Sequence, residues 1–379
     1  MSSRRDWLRT TLALTAGVPV SMTLADRLMA APAGEAEREF FRRKGVKPAH
    51  LRLGSNENPY GPSAAAKQAI IKILSEANRY PFQTASELRE ILARKEGVSP
   101  EYIAVGAGSS DFLCATGAAF GLQGGSMLSA FPTFPTLMTY AEVFKARWDK
   151  VNVNDKLEYD YSAVEKQIKG DTRIIFVCNP NNPTGTIAPP DLVRSFCEDA
   201  CKKVPVFSDE AYLEFLEPKD QHSMVDLVKK DQNIIVSRTF SKIYGLAGLR
   251  LGYIIAKPDL LRKITRHQNG LSNNQIGVAA ANASLGDEAF MEMTRRKNAA
   301  ARKVLTDYLD KQGYQYGKSY TNFVLFDPRA DARKILDQLA DRGIRIRVWD
   351  YDNRQWLRVS IGTLEEMESF VKVYDEINS

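Results

Sequence analysis

Residues 172–177 read Thr172-Arg173-Ile174-Ile175-Phe176-Val177 and close on the cluster Asn179-Pro180-Asn181-Asn182-Pro183-Thr184-Gly185. An apolar run with few polar alternates is the pattern of a strand buried on both faces, as parallel strands are. Similar runs lie at 102–105, 204–207, 233–236 and 250–255, with helical patterns between them. That alternation predicts an α/β fold around a mainly parallel sheet. Ligands of such sheets collect at the carboxyl ends of the strands. The clusters 106–110, 178–186, 208–212 and 237–250 are therefore expected to face one crevice. After about residue 282 the pattern changes to long charged helices (287–312, 330–342) with short strands at 322–326, 344–348 and 357–361, a smaller α+β domain. The Asn/Pro/Gly-rich stretch 48–61 reads as a loop between the two domains.

The 379 residues are enough for two packed domains. With 44% hydrophobic and 26% charged residues, the composition excludes disordered, collagen-like and membrane-embedded classes. Of the formal charge of +6, residues 1–50 hold nine Lys/Arg against five Asp/Glu, so the rest is nearly neutral and nucleic-acid binding is not expected. The four cysteines are too sparse for a disulfide framework, and His50, His222 and His267 have no metal-ligand spacing, so no metal site is expected.

Chemistry concentrates in the strand-end clusters. Thr239-Phe240-Ser241-Lys242 places a lysine just past a buried strand, and Arg250 follows in Gly248-Leu249-Arg250-Leu251-Gly252. A desolvated lysine among cations has a depressed pKa and can form a Schiff base with an aldehyde. Arg250 can pair bidentately with a phosphate, with Ser241 and Thr239 as further donors. Gly106-Ala107-Gly108-Ser109-Ser110-Asp111 offers backbone N–H groups to the same anion. Ser208-Asp209-Glu210-Ala211-Tyr212 puts a carboxylate and a phenol at the same edge. Each cluster also has a plain structural reading: an exposed loop lysine, a tight turn with a cis X-Pro bond at 179–183, a helix N-cap at Asp209.

Taken together and in this order, the clusters resemble the fold-type I aminotransferases that use pyridoxal 5'-phosphate, and within them the histidinol-phosphate aminotransferase family. The resemblance runs from about residue 51 to about 370. It includes Asn56-Glu57-Asn58-Pro59-Tyr60-Gly61, Asn78-Arg79-Tyr80-Pro81 and Leu357-Arg358-Val359-Ser360-Ile361-Gly362. It implies a large domain with a seven-stranded-type sheet at 76–275. A small domain would comprise 276–379 with part of an N-terminal arm at 34–75. It also implies that Lys242 carries the Schiff base and moves the substrate proton. Asp209 would pair with the pyridine nitrogen, and Asn182 and Tyr212 would bond the ring oxygen. Phe134 would stack on the ring. Gly108, Ser109, Thr239, Ser241 and Arg250 would hold the phosphate, with Tyr80 arriving from a second subunit of a homodimer. Arg358 would clamp the substrate carboxylate, Arg347 would be a second anionic anchor and Tyr60 a pocket wall.

The expected activity is transfer of an amino group between an L-amino acid, or an amino-alcohol phosphate, and a 2-oxo acid. A decarboxylase, racemase or oxidase on the same scaffold is the alternative. Residues 349–356, rich in aromatics and acids, depart from a histidine-biosynthesis enzyme. They read as a loop bordering the side-chain pocket.

At the amino end, Ser3-Arg4-Arg5-Asp6-Trp7-Leu8-Arg9 precedes a mildly apolar stretch at 10–25 and alanines 30, 31 and 33. This resembles a twin-arginine export signal over residues 1–33, and predicts a periplasmic or exported protein. An ordinary amphipathic helix in the cytoplasm is the alternative. The stretch is too broken by Gly17, Pro19 and hydroxyl residues to span a membrane.

Overall fold

The computed structural model describes residues 50–378. The expected signal at 1–33 and the first part of the arm lie outside the described residues.

Among the described residues twelve strands follow in chain order. They are β1 (Leu51–Arg52), β2 (Ile103–Gly106), β3 (Ser126–Phe131), β4 (Arg147–Asn152), β5 (Thr172–Cys178) and β6 (Val206–Asp209). Then come β7 (Ile234–Thr239), β8 (Gly252–Ala256), β9 (Phe323–Phe326), β10 (Ile344–Arg345), β11 (Arg347–Tyr351) and β12 (Arg354–Ser360). Seven of them form one sheet in the order β2-β8-β7-β6-β5-β3-β4. Only β8 runs against its neighbours.

The central strands are what the apolar runs require. Every residue of β7 and β8 is buried, and so are Ile174, Ile175, Phe176 and Val177 of β5. Helices cover both faces, and each face has its own apolar cluster. Two strands of this sheet carry no apolar run. β3 includes buried Ser126 and Ser129, and β4 at the sheet edge alternates charged residues with Trp148 and Val151. Edge position lets β4 keep polar residues, and β3, one strand in, satisfies Ser129 through Trp148 Nε1 and the Ala130 carbonyl, which hides both strands from a hydrophobicity reading.

A second core forms where β11-β12-β9 pair antiparallel against the helices Glu288–Lys311, Ala332–Asp341 and Leu364–Asn378. Two readings are corrected here. The stretch 48–61 is not all loop, because β1 pairs parallel with β10, Leu51 facing Ile344. The run 344–348 is not one strand, because it breaks at Ile346 and feeds two different sheets. The expected pocket loop 349–356 is likewise a hairpin. Asp352 and Asn353 hold φ of 53° and 55° at its tip, the pair of left-handed residues that a tight two-residue turn requires.

Candidate active site

Most of the expected residues meet at the carboxyl edge of the seven-stranded sheet. There, β5, β6 and β7 end in Cys178, Asp209 and Thr239, around a cleft of about 790 Å³. Asn179-Pro180 and Asn182-Pro183 are both cis, and of the asparagines in the turn after β5 Asn182 lines the cleft.

One end of the cleft is an anion cup. Gly108, at φ 83°, starts the helix Ser109–Gly121, whose first N–H groups lack carbonyl partners within the helix. A Cβ on Gly108 would lie 2.6 Å from Arg250 Nη2, and one on Gly252 would lie 2.5 Å from the Ser109 amide nitrogen, so only glycine allows this approach. Arg250, itself at φ 52°, donates from Nη1 to Ala247 O at 3.0 Å and to Ser241 Oγ at 3.4 Å. Among the described residues no carboxylate pairs with it.

Lys242 stands three residues past β7. Its Nζ donates to the carbonyls of Ser55 and Asn56, each at 3.3 Å. Burial, reinforced by the Arg358 charge, lowers its ammonium to about 8. Beneath it, Asp209 is buried with Oδ1 unpartnered, and burial pushes its carboxyl up to about 7. A buried carboxylate oxygen without a donor is costly, so this site calls for a cationic N–H opposite it. The Tyr212 hydroxyl oxygen accepts from Asn56 Nδ2 at 2.9 Å and from Asn182 Nδ2 at 3.4 Å.

Arg358 is buried, and desolvation lowers its guanidinium to about 10. Nη1 donates to Asn182 Oδ1 at 2.6 Å and Nη2 to Gly54 O at 2.8 Å, while Nε has no partner among the described residues. A buried cation satisfied only by neutral oxygens is a carboxylate receptor by its chemistry. Arg347 faces Arg358 across the strand pair and lines the cleft from an exposed position.

Phe134, Ser109, Thr239 and Ser241 line the same cleft. Two expected residues do not. Tyr60 closes a separate crevice with Thr294 and Asn298, under the Lys297 ammonium at 4.8 Å. Tyr80 is 66% exposed on the outer surface.

Asn56 is the residue whose role the sequence reading left out. At φ 55° it donates its N–H to Ser360 Oγ, bonds Tyr212, and gives its carbonyl to Lys242 and to Asn322 Nδ2. An Asn within the quoted 56–61 motif was the available signal, since Asn is the non-glycine residue most at ease in the left-handed region.

Behind Asp209, the Arg238 guanidinium sits 2.9 Å from Glu210 Oε2, with Glu214 and Glu96 at 3.7 and 3.8 Å, all buried. Glu210 also accepts from the Met224 N–H at 2.8 Å. This ion cluster holds the turn after β6 rigidly against β7.

An anion cup, an acceptor awaiting a cationic ring nitrogen and an amine of lowered pKa fit pyridoxal phosphate in charge and in order.

Comparison with known proteins agrees. Residues 48–373 match the family described as aminotransferase class I and II. A histidinol-phosphate aminotransferase of Ralstonia nicotianae is 38% identical over 361 residues, covering 94% of this chain and 95% of that protein. One from Cupriavidus pinatubonensis is 36% identical over 346 residues, covering 90% of each. The solved histidinol-phosphate aminotransferase of Sinorhizobium meliloti, in complex with pyridoxal-5'-phosphate, superposes with a TM-score of 0.79 at 29% identity, over 90% of this chain and 94% of that one. The strand-end clusters, the cleft they build and these likenesses together make the chain a member of the class I and II aminotransferase family.

Proposed function

We propose that the protein is a pyridoxal-phosphate-dependent aminotransferase that moves an amino group from an amino donor to a 2-oxo acid, with the roles its residues take in the cleft as follows. The observation that carries this reading is the pairing, in one cleft, of the unpartnered Asp209 carboxylate with the lowered Lys242 amine beside the Arg250 cup. When bound, pyridoxal phosphate supplies an aldehyde for the amine and an electron sink for the α-carbon.

The chain's own residues do the rest. Ser109, Ser241 and Arg250 hold the phosphate, and Thr239 fixes the loop by accepting from the Ser241 N–H at 3.1 Å. Asp209, once ionised by a cationic partner, keeps the ring nitrogen protonated. Tyr212 and Asn182 orient the ring oxygen, and Phe134 backs the ring. Arg358, whose charge acts on Lys242 in the same cleft, would bind the donor carboxylate. Lys242 Nζ is the covalent anchor at rest and the base that takes the α-proton; a pKa near the working pH suits a group that must both accept and return a proton. Asp209, Asn182, Lys242 and Arg250 come from 76–275 and Arg347 and Arg358 from 276–379, so the two proposed domains meet at the reaction.

The histidinol-phosphate aminotransferases among the relatives make an amino-alcohol phosphate one candidate donor. A homodimer completing the cup with Tyr80 is part of the proposal. It is supported by the exposure of Tyr80 and Phe82, at 66% and 67%, on one surface. Export through the twin-arginine route is supported by Arg4-Arg5 and the apolar stretch after them. Fractionation tests it, and an unprocessed chain confined to the cytoplasm of a cell with working export machinery would refute it.

Among the described residues no helix is long and apolar enough to cross a membrane. Reconstitution tests the enzymatic reading: the wild type should gain the visible absorption of a lysine-bound cofactor, and Lys242→Ala should lose both that band and turnover. A Lys242→Ala protein retaining both would refute it.

A further inference from the structure

Beyond the catalytic groups, the cleft has a second half made of carbon. Phe131 closes β3, Trp148 stands on the edge strand β4, and Trp349 reaches in from β11; all three line the cleft. Phe131 and Trp148 pack edge to face, with centroids 5.5 Å apart and planes at 80°. On the opposite side Phe131 meets Tyr351 at 5.8 Å. Tyr351 shares a strand face with Trp349, so the hairpin that carries Arg358 is pinned to the edge of the large sheet by aromatic contact.

Trp148 Nε1 is satisfied, donating to Ser129 Oγ at 2.8 Å, while Trp349 Nε1 is buried with no partner among the described residues. The rest of each indole is ring carbon. Charges nearby are also engaged. The Lys150 ammonium lies over the Phe131 and Trp148 rings at 4.7 and 4.3 Å, and Asp350 pairs with Arg333 at 2.9 Å. Arg347, the remaining cation on this side, is at the exposed mouth. The Arg358 guanidinium carbon is 5.9 Å from the Trp349 ring centroid. The Trp349 ring thus borders the place where a donor carboxylate would meet Arg358. Aromatic rings pack on such walls face to edge, while a phosphate or a carboxylate pressed against the indoles would be desolvated and would find Arg347 only at the exposed mouth.

We propose that this compartment takes an aromatic side chain, so that the preferred amino donor is an aromatic L-amino acid. The proposal rests on the aminotransferase reading above and names its substrate class.

The test uses the pyridoxal-phosphate-loaded protein and two readouts. The first is intrinsic tryptophan fluorescence during titration with 3-phenylpropanoate, which has the carboxylate and ring but no amino group to react, against propanoate. The second is kcat/KM for L-phenylalanine, L-alanine, L-aspartate and histidinol phosphate. The expected result is a Kd for 3-phenylpropanoate at least about tenfold below that for propanoate, since a ring added to a fitting apolar pocket is discriminated at that scale or more. Phenylalanine should exceed alanine at least about 100-fold and histidinol phosphate at least about tenfold on the same grounds.

Trp349→Ala and Trp148→Ala should each cut the phenylalanine-to-alanine ratio at least about tenfold, and Trp349→Phe should largely restore it. Having two sites keeps the test decisive if one variant does not fold. A preference for histidinol phosphate or aspartate, with donor turnover intact, overturns the aromatic assignment and leaves the aminotransferase standing. Equal Kd values for 3-phenylpropanoate and propanoate overturn it whether or not any donor reacts. Cofactor uptake with no donor converted removes the aminotransferase reading, and the two Kd values then decide the compartment separately.

Discussion

Arg358 Nη1 donates to Asn182 Oδ1 at 2.6 Å, although 176 residues of chain lie between them. The bond ties the substrate-facing hairpin to the turn after β5, and it orients the Asn182 amide so that Nδ2 faces the Tyr212 hydroxyl. On the proposed roles, carboxylate binding at Arg358 would therefore be coupled to the group that orients the ring oxygen. Arg358→Lys keeps the charge but loses the planar fork, and should lower kcat/KM for carboxylate-bearing donors by about 10- to 100-fold, the loss expected for one charge-assisted pair. Steady-state kinetics with an amino acid and with its decarboxylated amine check it: the amine should be nearly indifferent to the change.

Asp209 predicts a pH signature in the cofactor-free protein. Its folded-state carboxyl is pushed up to about 7 by burial, while the unfolded one titrates near 4. The unfolded state loses its proton first as pH rises. Stability should then fall between about pH 4 and 7, by on the order of 4 kcal/mol, and stay lower above that window. Denaturant midpoints across this range should show the decline in wild type and not in Asp209→Asn. Saturation with pyridoxal phosphate should abolish it, because a cationic ring nitrogen draws the carboxyl back down.

The anion cup depends on glycine. Gly108→Ala meets both a φ of 83° and the Arg250 guanidinium at 2.6 Å. The variant should bind pyridoxal phosphate more than about tenfold more weakly, the value of one to two lost charge-assisted contacts. Its affinity for pyridoxal, which has no phosphate, should barely change. Fluorescence titration with the two compounds separates a damaged cup from a damaged fold.

Arg238 neutralises the acidic cluster behind Asp209. Arg238→Met leaves Glu210, Glu214 and Glu96 buried without their cation. Breaking a buried pair from one side costs about 3 to 5 kcal/mol. Urea unfolding should show that loss, and Tyr253, which donates to Glu96 Oε1 at 2.7 Å, should not compensate for it.

Residues 172–177 were legible as a strand because nothing but a buried parallel strand suits six such residues before an Asn/Pro turn. Lys242, Asp209 and Arg250 were legible because strand-end chemistry and a known resemblance agree at those positions. What escaped was decided by tertiary context. β3 and β4 carry Ser, Arg, Asp and Lys that only their neighbours make compatible with a sheet, and β1 is a two-residue strand whose partner lies nearly 300 positions away. The 349–356 hairpin looked like a loop because its strand-like alternation Trp349-Asp350-Tyr351-Asp352 is short and acidic, and the left-handed turn at Asp352-Asn353 lacks the glycine that marks most such turns. Asn56 escaped for a related reason: its φ of 55° and its bonds to Tyr212 and Ser360 exist only once three distant segments have met. Tyr60 stands within the same motif as Asn56, yet its ring turns toward Lys297 and not into the cleft.

If Lys242 and Asp209 operate pyridoxal phosphate as an amino-group carrier, one spectrum shows it. The loaded protein is scanned while single amino donors are added without any oxo acid. A preferred donor should convert the lysine-bound cofactor band stoichiometrically to that of the aminated cofactor, and a 2-oxo acid should restore it. A band that returns on its own, with carbon dioxide, inverted substrate or peroxide accumulating, would contradict that role.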